Sequence, residues 1–189
     1  LPLTGYRNRL DAVMTNSLSD ESAQNFYNLL YRSKKPLIYV GGEIINANAS
    51  ESLRQLSTEY GIPIVTTLMA LGASDTTKSL SLHMLGMHGL ASANYAVEDC
   101  DFLIAIGARF DDRVAGDPEG FAPNAKKIAH FDIDISEINK VKNVDWYHVG
   151  DLKKDLDDLL NYGKGIKFSG DFKSWHHHIS ELKEKYKLN

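Results

Sequence analysis

The sequence predicts an α/β protein with a Rossmann-like, doubly wound parallel sheet of five to six strands. Two observations carry this prediction. Short apolar runs alternate along the chain with segments of helical periodicity, and the runs are apolar throughout instead of at every second position. Strands that are apolar on both sides need cover on both faces, which is typical of a parallel sheet with helical crossovers. The 189 residues, 43% of them hydrophobic, suffice for one domain with a sizeable core.

The first helix and the first strand are predicted from a helix start and a proline. Ser19 precedes Asp20 and Glu21, an acidic first turn that suits the positive end of a helix dipole. Apolar residues then recur at helical spacing, which predicts a helix over 20–33. Pro36 ends this segment and opens an apolar strand over 37–40.

The later elements follow the same alternation. Asn48 with Glu51 three residues later predicts a capping box for a helix that ends at Gly61. Further helices are predicted at 90–98, near 136–142, at 151–161 and in the charged tail. The remaining strands are predicted at 62–66, 102–106, 127–132 and 145–149, with a sixth near 82–86.

The predicted organisation has three parts. Residues 1–34 form a lead-in linker and helix, with residues 1–18 as the linker, 35–162 form the central α/β domain, and 163–189 form a C-terminal connecting helix. The net charge of −4 argues against a nucleic-acid or membrane-surface partner, and no apolar stretch is long enough to span a bilayer. The N-terminus lacks the apolar region of a signal peptide. The single cysteine, Cys100, excludes an intramolecular disulfide and predicts a cytoplasmic, reducing location.

Candidate ligand-binding residues are those that directly follow strands. In open parallel sheets, ligands bind beyond the carboxyl ends of the strands, where the strand order reverses. The segments at these positions are Gly41-Gly42-Glu43, Thr66-Thr67-Leu68-Met69, Gly107 to Arg113, Asp132-Ile133-Asp134 and Gly150-Asp151.

Taken singly, these residues leave alternatives open. Gly41-Gly42 allows close approach to a phosphate, but without a full G-x-G-x-x-G motif a tight turn explains it equally well. Asp132 suits either a ribose hydroxyl or a turn. Arg109 and Arg113 suit a bidentate anion, whereas their spacing alone favours local salt bridges to Asp111 and Asp112.

Other unusual residues point less clearly to a site. His83 and His88 lack a third ligand at metal-binding spacing, so a metal site is not expected. The run His176-His177-His178 is interpreted as solvated helix surface, and Cys100 as structural. The residues alone therefore indicate a doubly wound domain that holds a nucleotide-like ligand.

Four strand-end segments together resemble one known family. They are Thr66 to Gly72 (TTLMALG), Leu85 to Gly89 (LGMHG), Gly107 to Val114 (GARFDDRV) and His130 to Asp134 (HFDID). Their strings, order and spacing resemble the central domain of acetohydroxyacid synthase (acetolactate synthase) catalytic subunits over roughly 34–162.

The resemblance implies an activity, three cofactors and a set of site residues. The family condenses pyruvate with pyruvate or 2-ketobutyrate, with decarboxylation, in branched-chain amino-acid biosynthesis. It uses thiamine diphosphate, Mg²⁺ and an FAD without net redox role, and the central domain makes most FAD contacts. The cofactor-binding positions carried over are Gly41, Gly42, Thr66, Thr67, Leu68, His88, Gly89, Gly107, Ala108, Arg109, Asp111, Arg113, Val114, Asp132, Ile133 and Asp151. Met87, Asp112 and Arg113 are placed by the resemblance near the substrate channel.

The resemblance also implies what this chain lacks. The thiamine-activating glutamate and the metal-binding motif belong to the family's N- and C-terminal domains, so we expect no catalysis from these residues alone. The implied partners are the other domains of the same polypeptide, a homo-oligomer and a regulatory subunit. Glu43 and Ala70 stand where the family usually has glycine, so Glu43 must point away from the cofactor phosphates or FAD affinity should fall. The competing hypotheses are a stand-alone nucleotide- or NAD-binding module and an interaction domain without a ligand.

Overall fold

The computed structural model describes residues 16–187, so the predicted linker lies outside the described residues as far as residue 15. The strands are β1 (Pro36–Val40), β2 (Ile64–Thr66), β3 (Ser81–Met84), β4 (Phe102–Ile106), β5 (Lys127–Asp132) and β6 (Trp146–Val149). The helices are α1 (Asp20–Arg32), α2 (Glu43–Asn46), α3 (Ser50–Tyr60), α4 (Ala91–Asp99), α5 (Asp112–Ala115), α6 (Leu152–Gly165) and α7 (Lys173–Lys185).

The six strands form one sheet in the order β3-β2-β1-β4-β5-β6, with every pair parallel. This confirms the predicted doubly wound class and the sixth strand. The strand order reverses between β1 and β4, which pair in register from Pro36 with Phe102 to Val40 with Ile106. A ligand site is therefore expected beyond Val40 and Ile106.

The sheet is covered on both faces. Every residue of β1 and β4 is buried, and successive residues of a strand point to opposite faces. Helices α1 and α3 pack against α6, while α4 packs against α7. Within residues 16–187, no helix combines the length and the apolar character that a membrane crossing requires.

Some predicted boundaries and caps are wrong. The capping box at Asn48 does not form, because Asn48 adopts a positive φ of 54° and α3 begins at Ser50 after an Ala49 that makes no side-chain cap. The helix predicted near 136–142 is only a 3-10 turn over Ile135–Glu137. The strand predicted at 62–66 begins at Ile64. The four-residue helices α2 and α5 were not predicted.

The tail helix is confirmed, but the interpretation of its histidines needs correction. His176 Nε2 lies 2.6 Å from the carbonyl oxygen of Gly61, and His178 Nε2 lies 2.6 Å from Asp99 Oδ2. These two rings tie α7 to the ends of α3 and α4, so they are not free surface. His177 alone is solvated, with a side chain that is 77% exposed.

Candidate functional site

A cavity of about 720 Å³ opens where the strand order reverses. Its walls come from the segments that follow β1, β2, β4 and β5. The volume lies within the range of small-molecule and cofactor sites, about 300–1,000 Å³. The position matches the one expected for a ligand in a doubly wound sheet.

The floor of the cavity is a close contact between two backbone turns. The N–H of Gly41 donates to the carbonyl oxygen of Ile106 at 2.9 Å, which extends the β1–β4 pairing past the strand ends. A Cβ atom on Gly41 would lie 1.9 Å from the carbonyl oxygen of Gly107. Gly107 itself has a φ of 57°, a conformation that favours glycine. Both glycines are therefore required by the backbone itself, and they leave the turns bare toward the cavity.

The segment after β4 presents two arginines to the same cavity. Phe110 anchors the segment, because it is buried and packs on Tyr39 with ring centroids 5.4 Å apart. Arg109 pairs with Asp111 at 3.4 Å, but both side chains are more than 60% exposed. An ion pair so exposed contributes little to stability and is easily exchanged for a ligand.

Arg113 lies on α5 and also lines the cavity. The local salt-bridge interpretation therefore holds only for Arg109 with Asp111, because neither Arg113 nor Asp112 forms an ion pair within residues 16–187.

The opposite wall is acidic. Asp132 ends β5, is buried, and accepts the backbone N–H of Asp134 at 2.8 Å. His130 Nε2 lies 3.6 Å from Asp132 Oδ2 inside the sheet. Glu43, the first residue of α2, also lines this wall. Burial and the nearby Asp132 carboxylate raise the pKa of Glu43 to about 8.

Two buried polar atoms on the cavity wall have no hydrogen-bond partner. They are Glu43 Oε1 and Thr67 Oγ1. Leaving such a group unpaired costs about 1–3 kcal/mol, so atoms of this kind mark places where a ligand can supply the missing partner. Glu43 thus lies on the cavity wall, so of the two alternatives that the sequence left open, its pointing away from the site is excluded and a lower FAD affinity stays a prediction.

Most of the predicted site residues meet at this cavity. Those that line it are Gly41, Gly42, Thr67, Leu68, Gly107, Ala108, Arg109, Asp111, Asp112, Arg113, Val114, Asp132 and Ile133. Thr66, His88, Gly89, Asp151 and Met87 do not line it. Thr66 is buried within β2, and the Asp151 side chain caps α6 by accepting the N–H of Lys154. Met87, with Asp112 and Arg113, lines a smaller adjoining cavity of about 360 Å³.

Sequence reasoning missed several residues on the cavity wall, namely Tyr39, Asn46, Met69, Asp134 and Glu137. Met69 and Asp134 were within the segments singled out but were not chosen. Tyr39 lies within the apolar run of β1, so its pattern indicated only a core position. Asn46 ends the four-residue helix α2 and Glu137 ends a 3-10 turn, and no local pattern reveals the orientation of such short elements.

The remaining unusual residues play structural roles. Cys100 is fully buried, its Sγ lies 3.2 Å from the carbonyl oxygen of Val97, and burial raises the pKa of its thiol, as its structural interpretation requires. No group of three or more metal-ligating side chains comes together in the part of the chain that the structure describes.

The donor set fits a phosphate-bearing nucleotide cofactor such as FAD. Bare backbone turns and two arginines suit a diphosphate, whereas carboxylates such as Asp132 suit ribose hydroxyl groups. The acidic wall would repel a diphosphate placed against it if all its carboxyls were ionised. The raised pKa of Glu43 relieves part of that repulsion at neutral pH.

Comparison with known proteins shows which family and which relatives this chain is similar to. Residues 23–159 match the family model described as thiamine pyrophosphate enzyme, central domain. The chain is 47% identical to the acetolactate synthase large subunit of Corynebacterium glutamicum over 159 residues, covering 84% of this chain and 25% of the relative. It is 44% identical to that of Parasynechococcus marenigrum over 160 residues, covering 85% of this chain and 26% of the relative. It is 43% identical to acetolactate synthase 1, chloroplastic, of Nicotiana tabacum over 190 residues, covering 99% of this chain and 27% of the relative. The chain thus spans about a quarter of the length of these relatives.

Proposed function

The chain belongs to the family of thiamine pyrophosphate enzyme central domains, and from that membership we propose that it is the FAD-binding central domain of an acetolactate synthase catalytic subunit. The observation that carries the proposal is the cavity at the strand-order reversal, walled by three of the four segments that resemble this family and by the turn after β1. Its relatives at 43–47% identity bear the name acetolactate synthase, which supports the same assignment.

In this proposal, FAD lies across the carboxyl ends of β1, β4 and β5. The backbone of Gly41, Gly42 and Gly107 together with Arg109 and Arg113 holds the diphosphate, and Asp132 accepts a hydroxyl group of a ribose. When bound, FAD would fill the cavity and would take part in no net electron transfer. The exposed side chains of Leu68 and Met69 then provide apolar cover at the cavity mouth.

The whole protein is proposed to condense two 2-keto acids, pyruvate with pyruvate or 2-ketobutyrate, with loss of carbon dioxide. Thiamine diphosphate and Mg²⁺ are proposed to bind to other domains of the polypeptide, since the residues expected to hold them are not among those of this chain. Met87, Asp112 and Arg113 are proposed to face the substrate channel. A homo-oligomer, a regulatory subunit, a role in branched-chain amino-acid synthesis and a reducing compartment such as the cytoplasm complete the proposal.

Two measurements test this function. Calorimetric titration of FAD, NAD and ADP into the protein should show the tightest binding for FAD. A preference for NAD would favour a stand-alone dinucleotide-binding module instead. In an acetolactate assay with pyruvate, the protein encoded by the gene should turn over only with thiamine diphosphate and Mg²⁺ present. The 189 residues alone should be inactive, and thiamine-dependent turnover by them would contradict the proposed division of labour.

A further inference from the structure

Glu43 occupies an unusual place for a carboxyl group. It directly follows the two glycines of the β1 turn and begins α2, on the wall of the cavity at the strand-order reversal. Its side chain packs over the neighbouring β4 turn, because a Cβ atom on Gly107 would lie 2.6 Å from Glu43 Cβ and 3.3 Å from Glu43 Oε2. The carboxyl group is thus held beside the bare backbone where the diphosphate is proposed to bind.

In the part of the chain that the structure describes, no cationic side chain pairs with this carboxyl group. Oε1 is buried without a hydrogen-bond partner. The charged groups that act on Glu43 are three carboxylates, Asp132 at the end of β5 and Asp151 and Asp155 at the start of α6, opposed by a hydrogen bond from the backbone of Ile133. Within residues 16–187, no lysine, arginine or histidine contributes to the raised pKa of Glu43.

The wider surroundings contain groups of both charges. His130 faces Asp132 from within β5 at 3.6 Å, and His148 of β6 faces Asp155 at 3.1 Å. On the β4 side, Arg109 is engaged with Asp111. On the β5 side, Glu137 is paired with Lys140 at 2.8 Å. Burial and like charge, which both favour the protonated form of Glu43, thus outweigh the hydrogen bond from the Ile133 backbone, which favours the ionised form.

A protonated carboxyl group can donate a hydrogen bond, which an ionised one cannot. A hydrogen bond from such a group to an anionic oxygen is charge-assisted and stronger than a bond between neutral groups. With the pKa of Glu43 raised to about 8, the proton is in place at neutral pH. The protonated carboxyl group of Glu43 thus offers a hydrogen-bond donor to a phosphate oxygen, whereas the ionised carboxylates on the same wall would repel one.

We propose that Glu43 is a hydrogen-bond donor to the diphosphate of FAD, so that FAD binds only to the protein that carries a proton on this side chain. The inference rests on the proposed FAD site and adds that the Glu43 side chain in this site carries a proton when FAD is bound. The sign of the pH dependence follows. Below the pKa of Glu43 in the free protein, FAD affinity is constant. Above it, each FAD must bring a proton with it, and the dissociation constant rises toward tenfold per pH unit.

The test is a calorimetric titration of FAD into the protein encoded by the gene between pH 6.5 and 9. The diphosphate diester of FAD has no proton to lose in this range. We expect the dissociation constant to be nearly constant up to about pH 7.5 and to increase about tenfold by pH 9. Heats measured in buffers of different ionisation enthalpy should show proton uptake on binding above pH 8.

Two variants and a control separate the donor role from general electrostatics. Glu43→Gln keeps an N–H donor at every pH, so its FAD affinity should not depend on pH. Glu43→Gly removes the donor, so its affinity should be lower than that of the wild type at pH 6.5 and also independent of pH. The control is Glu137→Gln, which removes another carboxylate from the cavity wall and should keep the wild-type decrease.

The outcomes distinguish this inference from the proposed function. FAD binding by the wild type without pH dependence, or a decrease just as steep in Glu43→Gln, overturns the proton-donor role but leaves the FAD site. Tighter binding by both Glu43 variants at every pH means that an ionised Glu43 repels the cofactor, which also overturns the inference. If the wild type and all variants fail to bind FAD at any pH, the proposed function falls and the inference with it.

A ligand-free measurement checks the state of Glu43 independently. Because its pKa is raised in the folded protein, the unfolded chain loses this proton first, and stability falls as the pH rises from about 4.5 to about 8. The denaturant midpoint of Glu43→Gln should therefore match the wild type near pH 4 and exceed it increasingly up to pH 8. Equal midpoints at pH 8 and above would mean that Glu43 is ionised at no cost, which overturns the inference.

Discussion

Single glycines set how closely the β1 and β4 turns approach beneath the cavity. In Gly41→Ala, the added methyl group would lie 1.9 Å from the carbonyl oxygen of Gly107, so the two turns must separate. We expect a loss of about 1–3 kcal/mol or more in the free energy of unfolding, measured by denaturant titration, together with weaker FAD binding. The control is Gly165→Ala at the end of α6, where the added Cβ meets no atom within 4 Å. That change should be neutral or stabilising by up to about 1 kcal/mol, and an equally mild effect at Gly41 would contradict the close contact.

The same residues show how far a site can be predicted from sequence. Gly41 and Gly42 were left open between a phosphate turn and a tight turn, and the structure shows that the first glycine is demanded by a neighbouring backbone. Tyr39 could not be predicted as a cavity residue, because a tyrosine within a wholly apolar strand has the pattern of a core position. The environment of Glu43 depends on Asp132, Asp151 and Asp155, which are distant in sequence, so its raised pKa could not be predicted either.

At the scale of secondary structure, Asp151 has two competing roles. The resemblance implied that it contacts the cofactor, whereas the structure shows that it is the N-cap of α6, with Oδ1 accepting the N–H of Lys154 at 3.0 Å. In Asp151→Ala, the loss of the cap should lower the free energy of unfolding by about 1 kcal/mol. FAD affinity at pH 6.5 should stay within twofold, because Asp151 does not line the cavity.

Asp151→Asn is the matched control, since asparagine caps helices as well as aspartate does. It should retain nearly the full stability of the wild type. A tenfold loss of FAD affinity in Asp151→Asn, whose cap is intact, would instead favour the cofactor role.

The elements differ in how well the sequence predicts them, and the difference has a physical cause. β1 and β4 were predicted because their burial on both faces demands an unbroken apolar run. The cap of α3 was predicted wrongly, because Asn48 turns into the left-handed region and leaves the helix to begin two residues later. Helices α2 and α5 have four residues each, too few for any periodicity, and the surrounding turns hold them in place.

At the scale of the whole molecule, the helices predicted as lead-in and connection contribute to the core. Phe26 and Leu30 of α1 are fully buried. Trp175 of α7 is 1% exposed, and its Nε1 donates to the carbonyl oxygen of Pro36 at 2.9 Å. The helix α7 thus holds the start of β1, the strand whose far end forms the floor of the cavity. We therefore expect the integrity of the site to depend on a helix that lies at the other end of that strand.

This dependence predicts that Trp175→Ala destabilises the domain by about 3–5 kcal/mol in denaturant unfolding, because it removes a large buried ring and a buried hydrogen bond. Trp175→Phe keeps one aromatic ring and loses the N–H with the rest of the five-membered ring, so it should cost less and remain folded if the alanine variant does not. His177→Ala, on the exposed side of the same helix, is the control and should lie within about 0.5 kcal/mol of the wild type. If Trp175→Ala lies as close to the wild type as this control, α7 is a connector and the domain ends before it. If both variants lower the free energy of unfolding, and Trp175→Ala lowers it more than Trp175→Phe does, the fold that carries the site extends through α7.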